Sequence, residues 1–128
     1  MSILDNLLGP SLRLNAAGAG TYTAPHALMP DIHYRGVIVV VTIDAITAGD
    51  SWTVSIVGYD PTSQWYYPLL TSVPLTQVGH TVLTVYPGIV AVPNVAANSP
   101  VPNSNFWSVQ GVVATGPITG YCSCVYCY

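Results

Sequence analysis

The sequence predicts an all-β fold, a single-domain antiparallel β-sandwich, with a jelly roll as one arrangement of it. Three observations support this prediction. Stretches rich in β-branched and aromatic residues recur along the 128-residue chain, Gly- and Pro-containing turns separate them, and no long segment has the apolar spacing of a helix. A chain of this length buries a core of its own as one domain. We expect an N-terminal arm over residues 1–10 and the sandwich over residues 11–128.

The N-terminal arm has apolar residues at helical spacing, and Gly9-Pro10 ends the pattern. A helix this short is unstable in isolation. The arm therefore needs a surface to pack on, either on its own domain or on a neighbour. Its apolar residues are Ile3, Leu4, Leu7 and Leu8.

The sequence of the first part of the domain predicts a turn followed by a long strand. Residues 15–20 are small and indicate a turn, and residues 34–46 form the strongest strand pattern. Its centre, Val37 to Val41, is apolar at every position. This pattern is typical of a strand covered on both sides, or of a sandwich strand whose outer face meets a partner.

A hairpin follows. Residues 52–59 alternate between apolar and polar side chains, with Trp52 and Ile56 on one predicted face. After a turn at residues 60–63, residues 64–70 are predicted to form the second, antiparallel strand. Proline at the second position of that turn favours type I.

Further strands are predicted at residues 81–86, 106–115 and 118–128, separated by Gly/Pro turns. Between the first two lies a long loop, residues 91–105, with several prolines and asparagines and no charge. A loop of this length in a compact domain is usually functional or packed against something.

Charged side chains are rare. They make up 5% of the chain, against about 25% in an ordinary soluble domain. A small β domain that works as a free monomer normally carries charge for solubility and to keep its sheet edges from pairing. We therefore expect other protein to cover much of the surface, which indicates a structural subunit rather than an enzyme. The charged residues are Asp5, Arg13, Asp31, Arg35, Asp44, Asp50 and Asp60.

Composition also bears on partners and location. The net charge is −3 and no basic cluster is present, so we expect no nucleic-acid partner. The longest apolar run, Val37 to Val41, is far short of the ~20 residues of a membrane-spanning helix, so we expect no membrane partner. The first residues lack the basic and cleavage features of a secretory signal, which predicts synthesis in the cytoplasm.

The cysteines are the strongest candidates for a metal site. Cys122, Cys124 and Cys127 form a C-x-C-x-x-C cluster, but zinc requires four ligands, and strand alternation places Cys127 on the face opposite the other two. We therefore expect no metal and no cofactor. Free thiols are favoured, and a disulfide within the segment or between subunits stays open.

No catalytic residues are predicted. His26, His33 and His80 are scattered, and nothing in the sequence brings a nucleophile and an orienting acid to any of them. Asp50 and Asp60 lie in turns, where aspartate is expected to form local hydrogen bonds.

Aromatic residues indicate contact surfaces. Tyr and Trp are enriched at interfaces, and adjacent residues in a strand face both sides of the sheet. We assign Trp52 and Trp107 to the core. The run Trp65-Tyr66-Tyr67 has a rival use as a carbohydrate-binding platform. With the N-terminal arm and the 91–105 loop, which we expect to be ordered by neighbours, the predicted interface residues are Ile3, Leu4, Leu7, Leu8, Trp65, Tyr66, Tyr67, Pro93, Pro100, Pro102, Tyr126 and Tyr128.

Four segments in order carry a family resemblance: residues 34–41, 52–60, 83–88 and 106–113. Their spacing and texture resemble small β-sandwich virion proteins of tailed bacteriophages, which include capsid decoration (cement) proteins. The resemblance implies a homotrimer, or another homo-oligomer, bound to the major capsid protein on the capsid surface of the virion. Minor tail and head–tail connector proteins have a related texture and are the alternative. The cysteine-rich segment has no counterpart in this pattern.

Overall fold

The computed structural model describes residues 12–16, 18–24, 35–102 and 106–127. Within these ranges the regular structure is nine β-strands, without an α-helix. No helix there is long and apolar enough to cross a membrane. The strands are β1 (Leu12–Ala16), β2 (Gly20–Thr23), β3 (Gly36–Ile46), β4 (Trp52–Asp60), β5 (Trp65–Thr71), β6 (Gly79–Val85), β7 (Ala96–Ala97), β8 (Trp107–Val113) and β9 (Ile118–Cys127).

The strands form two sheets. The five-stranded sheet has the order β1-β9-β3-β6-β7, and the four-stranded sheet has the order β2-β8-β4-β5. Neighbouring strands are antiparallel except for β6 and β7, which are parallel. The predicted all-β sandwich is therefore confirmed, whereas this strand order does not establish a jelly roll.

The core lies between the inner faces of the two sheets. Strand alternation sends every second side chain of β3 inward, so that Val37, Val39 and Val41 are almost completely buried. Trp52 and Trp107 face them from β4 and β8 and have no exposed surface, which confirms their predicted place in the core.

The position of β3 within its sheet explains the apolar run at its centre. β3 lies between β9 and β6, in the middle of its sheet. Its other face carries Ile38 and Val40, which are half-buried on the outside of the sandwich. The sequence predicted either a strand covered on both sides or a sandwich strand with a free outer face. β3 is the second of these, a sandwich strand, and its outer face is apolar.

The predicted hairpin is present. β4 and β5 pair antiparallel, with Asp60 opposite Trp65 at the turn and a register shift after Ile56. This irregularity accompanies the burial of two consecutive residues, Ile56 and Val57, where simple alternation would expose the second.

Two predicted connections differ in the structure. The turn expected over residues 15–20 begins later, because Asn15 and Ala16 pair with β9 as part of β1. The loop expected over residues 91–105 contains β7, which adds to the edge of the five-stranded sheet beside Thr84 and Val85. Neither short strand has the alternating β-branched pattern from which the longer strands were predicted.

Candidate contact surfaces

The outer face of the five-stranded sheet is an apolar surface. The strand register places Ile38 between Val125 and Thr84, and Val40 between Ser123 and Val82. Val82 and Val125 are 50% and 45% exposed, respectively. The three central strands therefore present a band of β-branched side chains to the outside, which we call the outer apolar face. Its members are Ile38, Val40, Val82 and Val125, with Tyr121 at the margin.

One end of the outer apolar face is polar. Thr42 lies between His80 and Tyr121, and the Thr42 hydroxyl is 3.0 Å from the Nδ1 atom of His80. On β3, β6 and β9 none of the outward positions from residue 38 to 42, 80 to 84 or 121 to 125 is Asp, Glu, Lys or Arg. A partner could cover these positions without desolvating an ion. Charged residues follow just beyond them, since Arg13 on β1 is opposite Tyr121 and the exposed Asp44 is on β3.

The turn end of the β4–β5 hairpin carries a second surface, made of aromatic rings. Trp65 is 62% exposed, and its ring centroid lies 5.8 Å from that of Tyr67. On the other side of the strand Tyr66 contacts Tyr59, with centroids 4.7 Å apart. The expectation that this run faces both sides of its sheet is thus confirmed. Gly58 makes room for one of these rings, because a Cβ there would overlap the ring of Tyr67.

The carboxylate nearest to these rings is engaged by the turn itself. Asp60 Oδ1 accepts a hydrogen bond from the N–H of Thr62 at 3.0 Å, and Oδ2 accepts one from the Ser63 hydroxyl at 2.7 Å. These hydrogen bonds, that from the Ser63 side chain first, lower the pKa of Asp60. The local role predicted for Asp60 is confirmed, and its oxygens are oriented toward the turn.

The segment from residue 90 to 102 is held by its own domain. Asn98 Oδ1 accepts from the N–H of Gly88 at 2.7 Å, and Asn94 Nδ2 donates to the carbonyl of Thr71 at 2.9 Å. With the β6–β7 pairing, these contacts attach the described part of the loop to its own domain. Its outward side chains nevertheless include Val90, Val92 and Val95, which are 84%, 46% and 49% exposed.

The cysteines do not converge on one site. Cys122 and Cys124 face the core and are almost completely buried, whereas Cys127 is half-buried on the other face, as alternation predicts. All three are free thiols. Burial raises the pKa of Cys122 to about 12 and also raises the pKa of Cys124. Among the described residues no three His, Cys, Asp or Glu side chains are close enough to hold a metal ion.

Two surface cavities carry no recognisable chemistry. One, of about 290 Å³, lies where residues 74–79 cross the end of β3 and β6, and includes His80. The other, of about 330 Å³, lies between residues 45–47 and 117–119. Neither lining combines a nucleophile, a base and an orienting acid, which nucleophilic catalysis requires.

The predicted interface residues are distributed unevenly. Trp65 is exposed, Tyr66 and Tyr67 are half-buried, Pro93 and Pro100 are exposed and Pro102 is half-buried. Tyr126 was wrongly placed at an interface. It is only 5% exposed and packs edge-on against Trp107, with ring centroids 5.8 Å apart, because its position in β9 faces the core. The predicted contact residues outside the described ranges are Ile3, Leu4, Leu7, Leu8 and Tyr128.

Sequence reasoning anticipated an apolar outer face on β3 but missed its extension over β6 and β9. Val82 and Val125 belong to it because three strands distant in sequence lie side by side, and no local pattern gives that order. A signal was available in β9, where Tyr121 and Val125 occupy positions that alternate with the buried cysteines.

The chain matches no protein-family model, no curated protein and no solved structure. Function is therefore inferred from the surfaces of the chain itself.

Proposed function

We propose that this chain is a non-enzymatic structural protein of a tailed-bacteriophage particle. In this proposal it binds the outer surface of the capsid as a decoration protein, and its partners are the major capsid protein and further copies of itself. The observation that carries the proposal is an exposed apolar surface on a chain of which only 5% is charged. Such surfaces mark protein–protein interaction sites.

The two contact surfaces suit repeated association on a shell. The outer apolar face and the aromatic hairpin end lie on different sheets, so one chain has separate surfaces for two neighbours. A specific contact of standard size buries ~1,600 Å² in total. Many such contacts repeated over a capsid would strengthen it against the pressure of packaged DNA.

The test is the composition of purified particles. Quantitative mass spectrometry should find this chain in virions at a fixed ratio to the major capsid protein, and mild washing should release it before the shell breaks. A few copies per particle would instead support the alternative of a minor tail or head–tail connector protein. Absence from particles would overturn both.

A second candidate function, carbohydrate binding, is favoured by one observation. Trp65 and Tyr67 present neighbouring rings at an exposed strand end, and such rings stack on sugars. A glycan array probed with purified protein separates the two functions. The comparison should include Trp65→Ala, which removes the exposed ring, and Val90→Ala as a matched exposed control. Glycan binding that is lost only in Trp65→Ala would favour the carbohydrate-binding function.

A further inference from the structure

The connection between β6 and β7 presents an apolar loop to the outside. Residues 89–95, Ile-Val-Ala-Val-Pro-Asn-Val, contain no charged side chain, and we call them the valine loop. Val90 is 84% exposed, more than any other large apolar side chain among the described residues, and Val92 and Val95 are about half exposed. Exposed apolar side chains grouped in this way mark an interaction site.

Hydrogen bonds attach the valine loop to its domain on both sides of Val90. Before it, the N–H of Gly88 donates to Asn98. After it, Val92 and Ala96 exchange two backbone hydrogen bonds, each 2.9 Å long, in addition to the bond from the Asn94 side chain to the other sheet. A loop attached at several points loses less conformational freedom on binding than a free one.

The cavity between residues 45–47 and 117–119 is a hole of matching chemistry. Its volume is about 330 Å³, and an enclosed apolar cavity of ~150 Å³ already holds benzene, so a valine side chain fits into it. The described residues of its lining carry no charge, and the polar ones among them are two threonines. The lining consists of Ala45, Ile46, Thr47, Pro117, Ile118 and Thr119.

The valine loop and the cavity lie at opposite ends of the five-stranded sheet. The loop is paired with Ala96, whose neighbour on β6, Thr84, is opposite Ile38 near the start of β3. The cavity lies at Ile46, the last residue of β3. The strand between these two levels spans roughly 25 Å. Val90 therefore does not reach the cavity of its own chain.

We propose that Val90 of one copy of this chain inserts into the cavity of a second copy. The contact joins an apolar side chain to an apolar lining, and neither side has to desolvate an ion. Because the two surfaces differ, each copy donates one valine loop and accepts another, and such contacts can close into a ring. The inference rests on the proposed function in one respect, since it names the surfaces by which further copies of the chain would associate there. Its tests use purified protein, so their failure is distinguishable from absence of the chain from particles.

Sedimentation of aspartate variants tests the valine loop. Wild-type protein at micromolar concentration should have a multiple of the monomer mass of 13.5 kDa. Val90→Asp places a charge in the apolar cavity and should weaken association by more than about tenfold. Val112→Asp is the matched control, because Val112 is 48% exposed on the outside of the other sheet, and it should keep the wild-type mass. A monomeric wild type, or equal masses of the two variants, would overturn the proposal.

Filling the cavity tests its other side. Thr119→Tyr adds a ring to the lining and should reduce association as Val90→Asp does, whereas Thr119→Val keeps the volume and should leave association unchanged. Thermal unfolding of each variant shows whether the sandwich itself is intact. If Thr119→Tyr is folded and associates like wild type, the cavity is not the binding site.

Cross-linking tests which surfaces meet. In a Cys127→Ser background, Val90→Cys is combined with Thr119→Cys or with Ala45→Cys on the two sides of the cavity. The separation within one chain is beyond the reach of a disulfide, so mild oxidation should give covalent oligomers on a non-reducing gel for at least one of the two pairs. Each single variant should stay monomeric on the gel. If neither pair cross-links under conditions in which the protein associates, or if Val90→Cys alone forms dimers, Val90 does not occupy the cavity and the proposal is wrong.

Discussion

The carboxylate of Asp50 accepts a hydrogen bond from the backbone N–H of Gly116, 2.6 Å from Oδ2, although the two residues lie in different connections of the sandwich. Its Oδ1 accepts from the N–H groups of Ser51 at 2.8 Å and Thr115 at 2.9 Å. Asp50 is only 2% exposed. One buried side chain thus joins the β3–β4 turn to the β8–β9 turn and satisfies three backbone donors.

Replacing Asp50 by Asn should destabilise the fold. An amide at this position retains one acceptor oxygen, but its NH₂ group then faces a backbone N–H that has lost its acceptor. We expect the free energy of unfolding in urea to fall by about 2–3 kcal/mol, the cost of a lost charge-assisted hydrogen bond and an unsatisfied donor. Asp44→Asn, in the exposed part of β3, is the matched control and should change it by less than about 0.5 kcal/mol. Equal stability of the two variants would show that these hydrogen bonds are not important for stability.

A second prediction concerns Gly111, which pairs with Val54 in the four-stranded sheet. A Cβ at this position would overlap the indole Nε1 of Trp52, which has no exposed surface. Gly111→Ala should therefore lower the free energy of unfolding by about 1–3 kcal/mol through overpacking. Gly18→Ala is the control, because a Cβ there has no atom within 4 Å. In a double-mutant cycle, Trp52→Phe should reduce the cost of Gly111→Ala, and strict additivity would argue against the overlap.

The thiols should differ in reactivity. The thiolate is the reactive form, and burial raises the pKa of Cys122 to about 12, so at neutral pH this thiol is both covered and protonated. Cys124 is in the same state. We expect mass spectrometry after iodoacetamide treatment of native protein to find a single adduct, on Cys127, and three after denaturation. Cys127→Ser should then give no adduct in the native state. Rapid labelling of Cys122 would contradict its burial.

The same burial predicts a loss of stability in alkali. The unfolded chain releases the proton of Cys122 above its ordinary pKa of 9.0, whereas the folded chain retains it up to a pKa of about 12. Stability is therefore fully present below pH 9.0 and falls between these two values as pH rises. At pH 10 the loss from this thiol is about 1.4 kcal/mol. Urea unfolding across this range should show a smaller dependence of stability on pH for Cys122→Ala than for wild type, and an unchanged dependence would contradict the prediction.

The extent to which the sequence predicted this structure follows from the range of the interactions involved. Alternation in β4 placed Trp52 and Ile56 in the core, because facing in a strand is a local property. The local turn bonds of Asp60 were predictable for the same reason. The bonds of Asp50 to Thr115 and Gly116 were not, because they depend on how two distant turns meet.

The contact surfaces were predictable to a smaller extent. The aromatic run at Trp65 stands out in the sequence, and one end of it is exposed as expected. Tyr126 was misassigned because tyrosine is common both in cores and at interfaces, and only the facing of β9 distinguishes the two. The outer apolar face required the order of strands β9, β3 and β6, which local patterns do not contain.

The last prediction concerns the N-terminal arm, residues 1–10, which lies outside the described residues. Its apolar residues Ile3, Leu4, Leu7 and Leu8 are too few to fold alone, so in the proposed function they bind a neighbouring protein on the shell. Deleting residues 2–8 should leave thermal unfolding of the sandwich unchanged and weaken attachment to shells stripped of this protein. A full-length variant with the four apolar residues changed to Ser should have the same effect, which would assign the loss to apolar contact rather than to length. Undiminished attachment of both variants would rule out a contact role for the arm.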